Sequence, residues 1–66
     1  MKWIEINPEK LPEIEVLGAN FKPGTYGYKE KLIGWLGKNA EGIYCDDEYQ
    51  ILENCTHYID IHKFDI

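Results

Sequence analysis

Residues 31–37 constrain the fold of this chain more than any other segment. A strand here would be apolar over most of both faces, with Leu32, Gly34 and Leu36 alternating with Lys31, Ile33 and Trp35. This profile is typical of a central strand in a sheet. Two glycines in so short a run disfavour the alternative, a buried helical turn. The segment therefore predicts a central β-strand.

Shorter alternating segments on both sides predict further strands. They lie at residues 3–6, 13–20, 43–45, 49–52 and 55–61, with a polar turn at 38–42 that makes 30–45 a β-hairpin. Pro8 and Pro12 leave space for one helical turn begun by Asn7, or for an extended loop. The pattern predicts a mainly β fold. We expect residues 1–66 to form one small domain, an antiparallel meander curled toward an open barrel, with at most one short helical turn.

The charge of the chain disfavours several classes of partner. Its 66 residues contain 12 acidic and 7 basic side chains, a formal net charge of -5, and every basic residue is lysine. A negative field repels nucleic acid, and the planar donor group of arginine is missing, so we expect no direct nucleic-acid binding. No apolar run reaches the ~18–20 residues that span a bilayer, and the first residues do not form a signal peptide. We expect a cytoplasmic protein without membrane contact, in which Cys45 and Cys55 are reduced thiols.

The longest predicted loop, 21–28, contains the candidate partner-binding residues. Pro23-Gly24 has the composition of a type II turn, and Phe21, Tyr26 and Tyr28 surround it. Loops held on a rigid sheet often contain binding residues, so these rings are candidates for an exposed aromatic patch. The alternative is that they fold back to cover a small core.

The sequence contains one group of candidate metal ligands, which consists of Cys45, Cys55 and His57. His62 and the acidic turn 46–48 are further possible ligands. Cys55 and His57 share one face of the predicted last strand, and Cys45 from a neighbouring strand would complete a three-ligand site. The chain has no closely spaced cysteine pair, which favours the alternative of buried thiols and a hydrogen-bonded histidine. A domain this small has little room for a substrate pocket, so we predict neither an enzyme nor a cofactor.

Four short motifs, in order along the chain, indicate a relationship. They are Trp3-Ile4, then Leu11-Pro12 with Glu15-Val16-Leu17, then Ile33-Gly34-Trp35-Leu36, and finally Thr56-His57 followed by an aromatic residue. In this order the chain resembles the small phage and prophage family known as domain of unknown function 551. Members open with Trp-Ile and a Leu-Pro turn before a Val-Leu strand, and close with Thr-His-Trp-Met-Pro. Here Tyr58 replaces the Trp and Ile59-Asp60 replaces Met-Pro.

The resemblance implies a bacterial or phage origin, a cytoplasmic location and a compact β fold. It also implies that His57 occupies the histidine position of the family. It implies no established activity.

The leading hypothesis is a non-enzymatic accessory protein of phage or prophage type. It would bind a host or phage protein through an exposed sheet edge or through the loop 21–28. One alternative is a small metal- or ligand-binding domain that uses Cys45, Cys55 and His57. Another is an acidic mimic of nucleic acid, with the turn 46–48 joined by Glu13, Glu15, Asp60 and Asp65. The sequence also leaves open a homodimer formed through an edge strand.

Overall fold

The computed structural model describes residues 2–64, which fold into one antiparallel sheet. Its strands are β1 (Ile4–Glu5), β2 (Val16–Ala19), β3 (Lys31–Asn39), β4 (Gly42–Asp46), β5 (Ile51–Glu53) and β6 (His57–Ile59). A single 3-10 turn, Ile61–Phe64, follows β6. The prediction of a mainly β fold of antiparallel strands is confirmed. The 3-10 turn lies after β6 and not between Pro8 and Pro12, where a helical turn was one of two expectations. Asp65, named above among the acidic residues, lies outside the described residues.

The strand order places the first strand of the chain beside the last one. The sheet runs β1-β6-β2-β3-β4-β5, so β2 to β5 form a meander in sequence order. β6 lies between β1 and β2, because Tyr58 pairs with Ile4 and Ile59 pairs with Leu17. Strand β1, near residue 4, therefore pairs with strand β6, near residue 58.

β3 is the central strand, as predicted, and the sheet bends along it. Its first half pairs with β2, where Ile33 is opposite Leu17, and its second half pairs with β4, where Leu36 is opposite Cys45. Gly34 is buried at the point of change, and a Cβ there would lie 2.6 Å from the carbonyl oxygen of Asp46. The missing side chain is therefore what lets β4 approach β3 at the bend.

The bend brings the two halves of the sheet over a shared core. A Cβ on Gly18 of β2 would lie 3.1 Å from the Cβ of Cys45 on β4, although β3 separates these strands in the sheet. The core contains Ile6, Val16, Leu36, Cys45, Leu52 and Cys55, with Leu11, Leu32, Ile43 and Tyr58 packed against it. The fold is a sheet that curls toward a barrel around a small apolar centre.

The segment between β5 and β6 links the two halves of the sheet. The Cys55 amide donates to the carbonyl of Ile43 on β4 at 3.0 Å, and the next amide, of Thr56, donates to Ala19 on β2 at 2.9 Å. The chain therefore passes from one half of the sheet to the other within two residues. This crossing decides which side chains of the last segment face the core.

Residues 7–10 form the single turn that the two prolines allow. The Lys10 amide donates to the Asn7 carbonyl at 3.0 Å, and the Glu9 amide donates to the Asn7 side-chain oxygen at 2.9 Å. Asn7 thus begins this turn. Within residues 2–64 no helix has the length and apolar character needed to cross a membrane.

Candidate docking surface

The outer side of β3 exposes two large apolar side chains. Leu32 and Leu36 point toward the core, and alternation sends Ile33 and Trp35 to the opposite side. Their exposed fractions are 49% and 48%, respectively. The sequence pattern is that of a strand covered on both faces, but the described residues cover this face only partly. Half of each side chain remains available for a contact.

Neighbouring strands extend this apolar surface. Leu17 lies beside Ile33, Asp46 lies beside Trp35, and Ile51 on β5 lies beside Asp46. Side chains opposite each other on adjacent strands share one face of a sheet. Leu17 is half-buried, whereas Ile51 is 61% exposed. We call the surface formed by Leu17, Ile33, Trp35, Asp46 and Ile51 the β3 face.

An open groove adjoins the β3 face at the C-terminal end of β3. The ring of Tyr44 lies over Gly37, where a Cβ would come within 2.5 Å of the ring. Beside the ring, the groove has a volume of about 440 Å³, and its lining residues are Asn39, Glu41, Tyr44, Asp46, Ile51 and Glu53. Three of these six are carboxylates and none is a lysine. The groove therefore offers one aromatic ring and one isoleucine within a negative rim.

An aromatic cluster occupies the other end of the same outer side. The Phe21 ring contacts Trp3 edge-on at 5.1 Å between centroids and His57 at 5.3 Å, and the Lys31 ammonium lies 5.6 Å from its centroid. The Thr56 hydroxyl accepts a hydrogen bond from the Phe21 amide at 3.0 Å and lies 2.7 Å from His57 Nδ1. These contacts orient the imidazole, so His57 supports the packing of Phe21 on the sheet.

The loop 21–28 is held in place by a buried asparagine. Asn20 is fully buried, and its amide donates to Thr25 Oγ1 at 2.9 Å and to the carbonyl of Tyr26 at 3.1 Å. Its side-chain oxygen accepts from the Lys22 amide at 2.9 Å. The loop backbone is thus tied to the end of β2 by a satisfied polar group.

The three predicted partner-binding rings take different positions. Phe21 folds back onto the sheet, as described above. Tyr26 is 92% exposed, and Tyr28 is partly exposed beside the Lys29 ammonium, 5.4 Å from its ring centroid. The structure brings Phe21 together with Trp3 and His57 rather than with Tyr26. Phe21 therefore fits the expectation of a ring that folds back, whereas Tyr26 fits the expectation of an exposed ring.

The three predicted metal ligands lie in two different places. Cys45 and Cys55 are buried in the core, where their thiols donate to the carbonyls of Leu32 at 3.3 Å and Leu52 at 3.2 Å. Burial raises the pKa of Cys45 to about 11 and that of Cys55 to about 12. His57 belongs to the outer aromatic cluster instead.

The expectation that Cys55 and His57 share a strand face needs correction. β6 begins only at His57, because the chain crosses between the two halves of the sheet at Cys55 and Thr56. Tyr58 packs on the core, so His57 points away from it, whereas Cys55 lies within it. Among residues 2–64, no three His, Cys, Asp or Glu side chains are grouped so that they could hold a metal ion.

The carboxylates of the acidic turn 46–48 hold its backbone. Asp46 accepts from the Glu48 amide at 2.7 Å, and Asp47 accepts from the amides of Gln50 at 2.7 Å and Tyr49 at 2.9 Å. The hydrogen bonds from Gln50 and Tyr49 keep the pKa of the Asp47 carboxyl below its usual value. These contacts give Asp46 and Asp47 a structural role in the turn, whatever else they bind.

Sequence reasoning missed the β3 face as a surface. A strand that is apolar on both sides predicts cover on both sides. In the described part of the chain, Leu32 and Leu36 pack in the core, whereas Ile33 and Trp35 on the other side are only about half covered. One signal pointed the other way: the chain shows no long amphipathic helical pattern that could supply a second layer.

Comparisons with known proteins give no relative from which to transfer a function. No family model matches this chain, and neither a curated protein nor a solved structure matches it significantly. The resemblance to domain of unknown function 551 stays a prediction.

Proposed function

We propose that this protein is a non-enzymatic protein-interaction module that binds its partner through the β3 face. The observation that supports the proposal is the central strand itself, which has apolar residues on both sides and keeps Ile33 and Trp35 half-exposed. Full burial of one such side chain contributes about 1.5–3 kcal/mol, and tryptophan is enriched among residues that dominate binding energy. A partner that covers this face gains from both side chains at once.

The β3 face is favoured over the surfaces suggested by sequence. The edge strands β1 and β5 have two and three residues, so each edge offers few free backbone groups to a partner strand. Tyr26 and Tyr28 are exposed on the loop without an apolar strand residue beside them in the sheet register, and scattered exposed side chains are normal on protein surfaces. Ile33 and Trp35 on β3 and Ile51 on β5, in contrast, lie on one face of the sheet, with Asp46 of β4 between Trp35 and Ile51.

The resemblance to the phage and prophage family supplies the setting for this proposal. On this resemblance, the proposal is an accessory factor of phage or prophage type that acts in the cytoplasm on a host or phage protein. We assign no catalytic residue. This choice is supported by the packing of Cys45 and Cys55 in the core and of His57 beside Phe21.

Site-specific photo-crosslinking tests the proposal. A photoreactive phenylalanine analogue replaces Ile33 in one variant and the exposed Tyr49 of the turn after β4 in a matched control. In lysate of the source organism, we expect a discrete protein adduct at position 33 and none at position 49. Excess unlabelled protein should suppress the adduct, whereas excess Trp35→Ala protein should not.

Two outcomes would overturn the proposal. One is equal crosslinking at both positions, which indicates non-specific contact. The other is no adduct at position 33 while circular dichroism shows that the variant is folded.

A further inference from the structure

We infer that the partner segment bound by the β3 face carries lysine or arginine side chains next to an apolar residue. The inference rests on the proposed function and adds the chemistry of the partner. It comes from the charges around the exposed apolar side chains. Apolar anchors determine where a partner docks, and the charges at the rim determine which partners are accepted.

The carboxylates are placed where a docked segment would meet them. Asp46 lies in register between Trp35 and Ile51 on the β3 face. Glu53 and Glu41 line the adjoining groove of about 440 Å³. Lys31, at the start of β3, already has partners, since its ammonium donates to the Lys29 carbonyl at 3.1 Å and lies near the Phe21 ring. The accessible charge beside Trp35 and Ile51 is therefore negative.

The groove suits a long cationic side chain. The apolar stem of a lysine or arginine can lie along Ile51 and the Tyr44 ring, while its charged end reaches the carboxylates of Asp46 and Glu53. An apolar neighbour on the same partner segment would then cover Ile33 and Trp35. One extended segment with alternating cationic and apolar residues satisfies both requirements.

A second copy of this chain fits the surface less well. Two β3 faces packed together would place two sets of carboxylates, Asp46 and Glu53 of each copy, in one interface, and each copy has a net charge of -5. Like charges at an interface oppose binding. Nucleic acid is disfavoured for the same reason.

An NMR titration with two peptides tests the inference. The ¹⁵N-labelled protein is titrated with acetyl-Lys-Ile-Lys-Ile-Lys-amide and with the charge-reversed acetyl-Glu-Ile-Glu-Ile-Glu-amide, at low and at physiological salt. We expect the cationic peptide to shift the backbone signals of Ile33, Tyr44 and Ile51 and the indole signal of Trp35. Binding should weaken as salt is added, and the acidic peptide should leave these signals unchanged.

Variants separate the apolar and the charged contributions. Glu53→Gln and Glu41→Gln should each weaken binding of the cationic peptide about two- to fivefold at low salt. Glu9→Gln, an exposed carboxylate in the turn after β1, is the matched control and should have no effect. Trp35→Ala should weaken binding at least about tenfold.

Each contrary outcome is distinct. Equal behaviour of the two peptides, including binding of neither, overturns the cationic assignment, as does a shift pattern centred on residues 47–49. Dimerisation of the free protein through Trp35, seen by analytical ultracentrifugation, would show that a second copy of the chain occupies the β3 face, and it would overturn the assignment of a cationic segment. A crosslink at position 33 combined with no peptide preference would leave the proposed function standing and remove only the inference about charge.

Discussion

At the scale of single residues, the buried thiols of Cys45 and Cys55 couple the fold to pH. Both lie in the core and donate to backbone carbonyls, so they pack as small apolar groups with a satisfied hydrogen. Burial is the largest cause of their raised pKa values, about 11 and about 12, because a thiolate in the core would lose its hydration. The folded state therefore keeps both protons at a pH where an unfolded chain releases them.

Alkaline pH should destabilise the protein through these thiols. An unfolded thiol ionises near its ordinary pKa of 9.0, so the stabilisation is complete below that pH and is lost as pH rises toward 11. In this window the free energy of unfolding should fall by about 1.4 kcal/mol for each unit of pH and for each thiol. Urea unfolding at a series of pH values measures the slope.

The control for the thiol prediction is Cys55→Ala. This variant is less stable at every pH because it leaves a cavity, but its loss of stability between pH 9 and 11 should be about half as steep. An unchanged slope would contradict the prediction. It would show that the Cys55 thiol does not contribute to the alkaline loss of stability.

At the scale of elements, the glycines of β3 determine how closely β4 approaches. A Cβ at Gly34 would lie 2.6 Å from the backbone carbonyl oxygen of Asp46, whereas a Cβ at Gly37 would meet the ring of Tyr44. The backbone of Asp46 cannot move away without breaking the pairing of β3 with β4. An aromatic ring can rotate to another position.

Alanine at these two glycines should therefore have unequal effects. Gly34→Ala should destabilise the protein by about 3 kcal/mol, most of the stability expected for a chain of this size. Gly37→Ala should cost about 1 kcal/mol, since the Tyr44 ring can swing aside into the open groove. Thermal and urea unfolding of the two variants give the comparison. Equal costs, or a larger cost at Gly37, would contradict the account of the bend.

At the scale of the whole molecule, the pairing of the chain ends makes the first residues part of the core. Within residues 2–64, β1 pairs with β6 alone, and just after it the Ile6 amide donates to the Thr56 carbonyl at 2.9 Å. Ile6 is buried in the core cluster, whereas Ile4, two residues earlier, is partly exposed. Stability therefore depends on contacts between residues that are far apart in the chain.

Two isoleucines near the start of the chain provide a matched test of this dependence. Ile6→Ala should reduce the free energy of unfolding by about 2–4 kcal/mol, because it opens a cavity in the small core. Ile4→Ala, of the same chemistry, should cost less than about 1 kcal/mol. Urea unfolding measures both. Similar costs for the two variants would show that β1 is not docked as described.

Much of the fold was predictable because its signals are local. The central strand at 31–37, the polar turn of the hairpin, the acidic turn 46–48 and the single turn after Asn7 each follow from a few adjacent residues. Alternation with a period of two depends on backbone geometry alone. Glycine and asparagine mark turns by their own conformational preferences.

The placement of the candidate site residues was not predictable in the same way. The crossing at Cys55 and Thr56 separates Cys55 from His57, and Phe21 reaches Trp3 and His57 rather than Tyr26. Each outcome depends on which distant strand lies alongside. Strand order and register, which link β6 to β1 and β2, have no counterpart in local periodicity.

Local pattern and composition were enough to establish that this chain forms short antiparallel strands around a central one, and that its net charge is negative. Which side of β3 became the core, and which side stayed open with Ile33 and Trp35, emerged only from the folded arrangement. The alternating residues of β3 indicate only that both of its faces are apolar. Whether a second layer covers a face depends on whether the rest of the chain has enough material to build it.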